Sequence, residues 1–113
     1  MTESILNSIK KLLGITAEYE HFDPDITMHI NSVFVILNQL GVGPDTPFSI
    51  TGDSETWDQF IDEAKLNMVK SYMYLKVRLL FDPPTGSVQD AIKNQIAELE
   101  WRLNVAVDPK KES

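Results

Sequence analysis

The sequence predicts an all-α protein, a small bundle of four to five short helices in a single domain spanning residues 1–113. Three observations carry this. Helix starts and stops are marked by capping residues, prolines and glycines at the expected offsets. Apolar residues recur at three- and four-residue spacing. Alternating apolar and polar segments, which mark half-buried strands, are nearly absent. With 113 residues and 42% hydrophobic content, the chain is large enough for one modest core and too apolar for wholesale disorder.

The first helix is expected over residues 3–13, with Ile5, Ile9, Leu12 and Leu13 on one face. Gly14 follows as a left-handed terminal residue. Asp23 as N-cap and Pro24 at the first helical position open a second helix. It carries Ile26, Ile30, Val33, Leu37 and Leu40 on one stripe and ends at Gly41, so its expected range is 24–40. Residues 41–53 read as a loop in which Phe48 and Ile50 form either a strand stub or a cover for the core. A short helix over 55–62 carries Trp57, Phe60 and Ile61. A longer one over 64–81 is stopped by Asp82-Pro83-Pro84, because proline cannot continue the hydrogen-bond ladder. Ser87 with Asp90 three residues on resembles a capping box and opens the last helix, expected over 88–106. Its stripe is Val88, Ile92, Ile96, Leu99 and Leu103, and residues 108–113 read as a frayed tail. The predicted core is Ile30, Val33, Leu37, Phe60, Val69, Tyr72, Leu80, Ile92, Leu99 and Leu103.

Composition narrows the function. There is no cysteine, which excludes disulfides, thiolate metal sites and a Cys–His nucleophile. The N-terminal segment lacks the order of a signal peptide and no apolar run is long enough to span a bilayer, so a soluble protein made in the cytoplasm is expected. The formal charge is −7, which disfavours nucleic-acid binding. Between Lys11 and Lys65 there is no Lys or Arg, while Asp53, Glu55, Asp58, Asp62 and Glu63 crowd the end of that stretch. From Ala64 to Phe81 there is no acid, and Lys65, Lys70, Lys76 and Arg78 appear. These blocks meet either within one subunit or across a subunit boundary; charge patterning favours neither.

Candidate chemistry is sparse. His21, Asp25 and His29 follow one another at four-residue steps, but His21 precedes the helix-opening Pro24, and ligands in a straight row do not surround an ion; a solvated face with His29 pairing Asp25 is favoured. Asp58, Asp62 and Glu63 resemble one half of the acidic helical set of magnesium-dependent nucleotide hydrolases, but the candidate facing helix is basic. Glu98 and Glu100 diverge on their helix. There is no GxSxG, Walker or dinucleotide motif. No enzyme activity, cofactor or metal is expected.

Two helices carry surplus apolar surface. Residues 64–81 are apolar nearly all round, which a bundle this small can hardly enclose. Lys76 shares a side with Val69, Tyr72, Leu79 and Leu80, so it must reach outward or find a carboxylate. Trp101 projects opposite the core stripe of the last helix, with Ala97 and Val105 as helical neighbours. Either another chain covers it or a loop of its own chain does.

Four segments carry a resemblance along nearly the whole chain: the opening helix ending LLGIT, the entry EHFDPDI into the helix ending QLGVG, the run WDQFIDEAKLNMVKSYMYLKVRLLFDPP, and IAELEWRLNVAV. In these the chain resembles the phage head–tail connector (head-completion) family of long-tailed phages and prophages. The resemblance implies a helical structural subunit of the virion, located at the head–tail interface and assembled in the host cytoplasm. It implies a ring of about a dozen copies set by the portal's cyclic symmetry, with the portal and the next tail-completion protein as partners. DNA would pass through the channel without specific binding, and no membrane is involved. Rings of this kind often dock through a C-terminal helix or tail, and here the tail from Asp108 is short. The alternative is a small helical adaptor or regulator that binds one partner protein; a stable dimer in solution favours it over the ring. On the connector reading, Trp101, Ala97, Val105, Lys65, Lys70, Lys76 and Arg78 are candidate subunit or portal contacts. Asp53, Glu55, Asp58, Asp62 and Glu63 are a candidate acidic channel or interface face.

Overall fold

The computed structural model describes the backbone of residues 3–112 and the side chains of residues 3–105. Four α-helices and one 3-10 turn are present among them: α1 Ile5–Leu12, α2 Asp23–Gln39, the 3-10 turn Trp57–Gln59, α3 Glu63–Phe81 and α4 Gly86–Glu112. No strand forms among the described residues. The one bridge is an isolated antiparallel contact of Ser4 with Thr56, made by the amides of Ile5 and Trp57 donating to the carbonyls of Glu55 and Glu3. The all-α reading therefore holds.

Helix α1 starts where Ser4 Oγ accepts from the Asn7 amide at 3.2 Å. It ends at Gly14, whose φ of +86° lies in the left-handed region that glycine enters without a Cβ clash. Its inner face is fully buried at Ile5 and Ile9, while Leu12 is half-exposed. The start of α2 differs from expectation. Phe22, not Asp23, is the N-cap, and it makes no side-chain capping bond. The Asp23 carboxylate turns away to Lys10, 2.7 Å from its Oδ1. That approach is off a good hydrogen-bonding angle, so the contact is ionic. The donors of Lys10 go instead to the carbonyls of Ala17 and Tyr19, at 3.1 and 2.8 Å. Lys10 is completely buried and pins the α1–α2 loop to α1. A buried ammonium needs such a ring of oxygens, since desolvation without partners costs several kcal/mol.

The loop after α2 acts as a cover, not a strand. The Asn31 side chain holds Ile50 from both sides, donating to its carbonyl at 2.9 Å and accepting from its amide at 2.8 Å. Phe48 packs on Phe34 and Phe60, and those two rings lie 4.7 Å apart. The helix expected over 55–62 shrinks to the single turn Trp57–Gln59, held by a reciprocal Thr56–Gln59 capping box. Trp57 is drawn under α1 and its indole N–H donates to Ser8 Oγ at 2.8 Å. The Ser4–Thr56 bridge also takes the Glu55 carbonyl, which accepts from the Ile5 amide and which a helix starting at residue 55 would use for its first intrahelical bond.

Helix α3 packs against α1, α2 and α4, which explains its nearly all-round apolar sequence: Val69, Tyr72, Met73, Leu75 and Val77 are all buried. Most of the predicted core is buried as expected, with Leu99 partly so. Leu80 is a correction: it is 51% exposed, because it stands at the rim of an open hollow between α2 and α3. Val88 is another, also 51% exposed, because α4 begins beyond the end of α3 and its first turn overhangs. Helix α4 is longer than the expected 88–106 at both ends; the expectation for the tail 108–113 falls outside the described side chains.

Candidate interaction surfaces

The α4 stripe Ile92, Ile96 and Leu103 is buried against the bundle. One helical half-turn away, on the outer side, Trp101 is 65% exposed and Val105 42% exposed, with Ala97 exposed beside them. No loop of the described chain covers the indole. The helix is fixed on α3 by the Tyr72 hydroxyl, which donates to Glu100 Oε2 at 2.6 Å. Burial, then the hydrogen bond and negative charge of Glu100, push the Tyr72 hydroxyl well above its ordinary range. It stays protonated, so the tie persists across physiological pH. This sets the rotation of α4 and thereby turns Trp101 outward.

The basic residues of α3 divide. Lys70 pairs with Glu3 of its own chain at 2.9 Å, and Arg78 donates to the Tyr74 hydroxyl at 3.2 Å. Lys65 and Lys76 are half-buried and form no ion pair among the described residues. Lys65 borders a hollow with Asp62, Phe60 and Gly43. Lys76 lies in a groove between α2 and α3 with Met28, Ile36, Leu79 and Leu80. It forms no ion pair with a carboxylate of the described residues.

The five candidate acids do not form one patch. Glu55 is turned inward on its loop, accepting from the Thr51 amide and hydroxyl, both at 3.0 Å. Burial alone would raise its carboxyl, but these hydrogen bonds, with those from the Glu55 and Gly52 amides, outweigh it and lower it below the ordinary range. Asp53 is exposed beside it and shares a shallow hollow with Glu20 and Asp23. Asp58, Asp62 and Glu63 are exposed around the 3-10 turn and the start of α3, where carboxylates complement the helix dipole. Lys70, one of the four bases expected to face these acids, pairs with Glu3.

No metal-binding geometry accompanies these groups. Among the described residues no three His, Cys, Asp or Glu side chains converge. The expected His29–Asp25 pair does not form; the nearest role for His29 is as part of the α2–α3 groove wall. No helix of the described residues is long and apolar enough to cross a membrane. The groove itself was not legible in sequence, because its walls come from two helices: Met28 lies off the α2 core stripe, and Leu80 had been assigned to the core.

The fold and its surfaces define a small all-α protein with large apolar side chains left uncovered on α2, α3 and α4. A family model described as phage connector protein matches residues 5–110, and the chain belongs to that family, the phage head–tail connectors. No curated protein and no solved structure matches it.

Proposed function

We propose that the protein works as a ring of about a dozen copies seated on the phage portal, where it extends the DNA channel, retains packaged DNA and supports the next tail component. In this reading it sits at the head–tail interface of the virion and performs no chemistry of its own. The observation that carries it is the outer face of α4. In a chain of the connector family, a 65%-exposed tryptophan backed by exposed Ala97 and Val105 is a surface that a single copy leaves unfinished.

The charge distribution supports the same arrangement. Lys65, Lys76 and Arg78, which form no ion pair within the described chain, are available to carboxylates of an adjacent copy, whereas Lys70 is paired with Glu3. Asp53, Asp58, Asp62 and Glu63 are exposed and would flank the channel, repelling the phosphates of passing DNA so that it does not adhere. Exposed pairs contribute about 0–1 kcal/mol each, so they steer the fit while apolar burial holds it.

The test is the mass of the purified protein by native mass spectrometry, alone and with its portal, followed by electron microscopy of any assembly. A closed cyclic oligomer, or a monomer that forms one on the portal, supports the proposal. A stable dimer that ignores the portal points to a single-partner adaptor and overturns it.

A further inference from the structure

A ring closed by rotation joins unlike surfaces, so each copy must carry two different faces that fit each other. The chain has two such surfaces, an apolar groove and a ridge that carries an exposed indole among polar residues. The first is the groove between α2 and α3, with a volume of about 390 Å³. Met28 and Leu80 stand at its rim, 59% and 51% exposed. Its polar lining is His29, Ser32 and Lys76, with no acid. The second is the ridge on α4. At 3.6 residues per turn, Asp90, Asn94, Ala97, Glu98 and Val105 share the face of Trp101, and all are exposed. That face carries the carboxylates of Asp90 and Glu98; the bases nearest it, Lys93 and Arg102, lie at its edges, and Arg102 pairs with Glu98.

We propose that the α4 ridge of one copy seats in the α2–α3 groove of the next. Trp101 enters the groove between Met28 and Leu80, and Glu98 of the incoming helix faces Lys76. Glu98 gives Oε2 to Arg102 at 2.7 Å and leaves Oε1 free for a second cation. The Ser32 hydroxyl, which donates its own proton to the Met28 carbonyl at 3.1 Å, keeps an oxygen lone pair for the indole N–H. A buried tryptophan needs such an acceptor. One chain cannot make this contact with itself. The ridge points away from α3, opposite the stripe that α3 covers, while the groove opens on the side of α3 that meets α2. The partner is therefore a second copy, and each copy has one face left over on either side, which propagates the contact around a ring. The inference rests on the ring reading above and adds which faces meet.

The natural chain has no cysteine, so engineered pairs report cleanly. Ala97→Cys and Ser32→Cys place a thiol on the ridge and in the groove. Under mild oxidation of assembled protein, the double variant should yield a ladder of covalent oligomers. A mixture of the two single variants should stop at the mixed dimer. Trp101→Ala and Lys76→Glu should each weaken assembly by roughly tenfold or more, as central contacts do, while the circular dichroism and melting of the monomer stay near wild type. If rings form by mass but the double variant gives no ladder, or Ala97→Cys alone dimerises through its own ridge, the faces are wrong while the ring stands. If no assembly forms with or without portal, both fall.

Discussion

The chain's two tryptophans mark two regions built on different terms. Trp57 is 2% exposed, and its N–H reaches Ser8 Oγ, which in turn donates to the Ile5 carbonyl at 3.0 Å. Around it the N-terminal region closes on itself: α1, the buried Lys10, the Phe34–Phe48–Phe60 cluster and the clamp of Asn31 on Ile50. Trp101 is mostly in solvent on a helix held by one face. The difference teaches what decides the fate of an indole. Where the chain supplies both an apolar socket and an acceptor, the residue belongs to the fold. Where it supplies neither, the residue stays in solvent.

The comparison breaks first at Trp57. Trp57→Ala removes a buried aromatic and strands Ser8, so urea unfolding of the monomer should show a loss of about 3–5 kcal/mol. A loss near zero would mean that the N-terminal region does not hold the fold together. Next comes Lys10→Met, which keeps the volume but leaves the carbonyls of Ala17 and Tyr19 and the Asp23 carboxylate without their cation. The expected loss is about 2–3 kcal/mol, and faster amide exchange in residues 13–22 would locate it.

Tyr72→Phe sharpens the comparison at the seam between the regions. Losing the bond to Glu100 should cost about 1–2 kcal/mol and loosen α4 in hydrogen exchange before α1. It also has a pH signature. The Tyr72 hydroxyl is raised in the folded state above its ordinary 10.0. Its contribution is therefore fully present below about pH 10 and is lost as pH climbs through the folded value. Wild type should lose stability on that alkaline limb more steeply than Tyr72→Phe, and equal slopes would refute the tie. The smallest effect is expected at Trp101. Trp101→Ala should change monomer stability by less than about 0.5 kcal/mol while weakening assembly. A loss of several kcal/mol in the monomer would place Trp101 in the fold after all.

Much of this was written in local sequence. Pro24 near the start of α2, glycines after α1 and α2, and Asp82-Pro83-Pro84 after α3 fix where helices begin and end, because they act on backbone torsions and donors within one or two residues. The stripe Ile92, Ile96 and Leu103 and the opposed Trp101 follow from helical period alone. So does the absence of strands. Other features depend on which elements meet. Asp23 looked like a cap because its neighbours are local, but Lys10, thirteen residues earlier, competes for it once α1 lies alongside. Residues 55–62 have the composition of a helix, but the Glu55 carbonyl accepts from the Ile5 amide and Ser8 holds the Trp57 indole, and one turn remains. Lys70 found Glu3 at the far end of the chain instead of the acids nearest in sequence. Leu80 carries the same apolar side chain as the buried Leu75, and only its place at the rim of the hollow between α2 and α3 leaves it exposed. Periodicity tells a helix which of its faces is apolar; the packing of the helices on one another decides which of those faces remain uncovered.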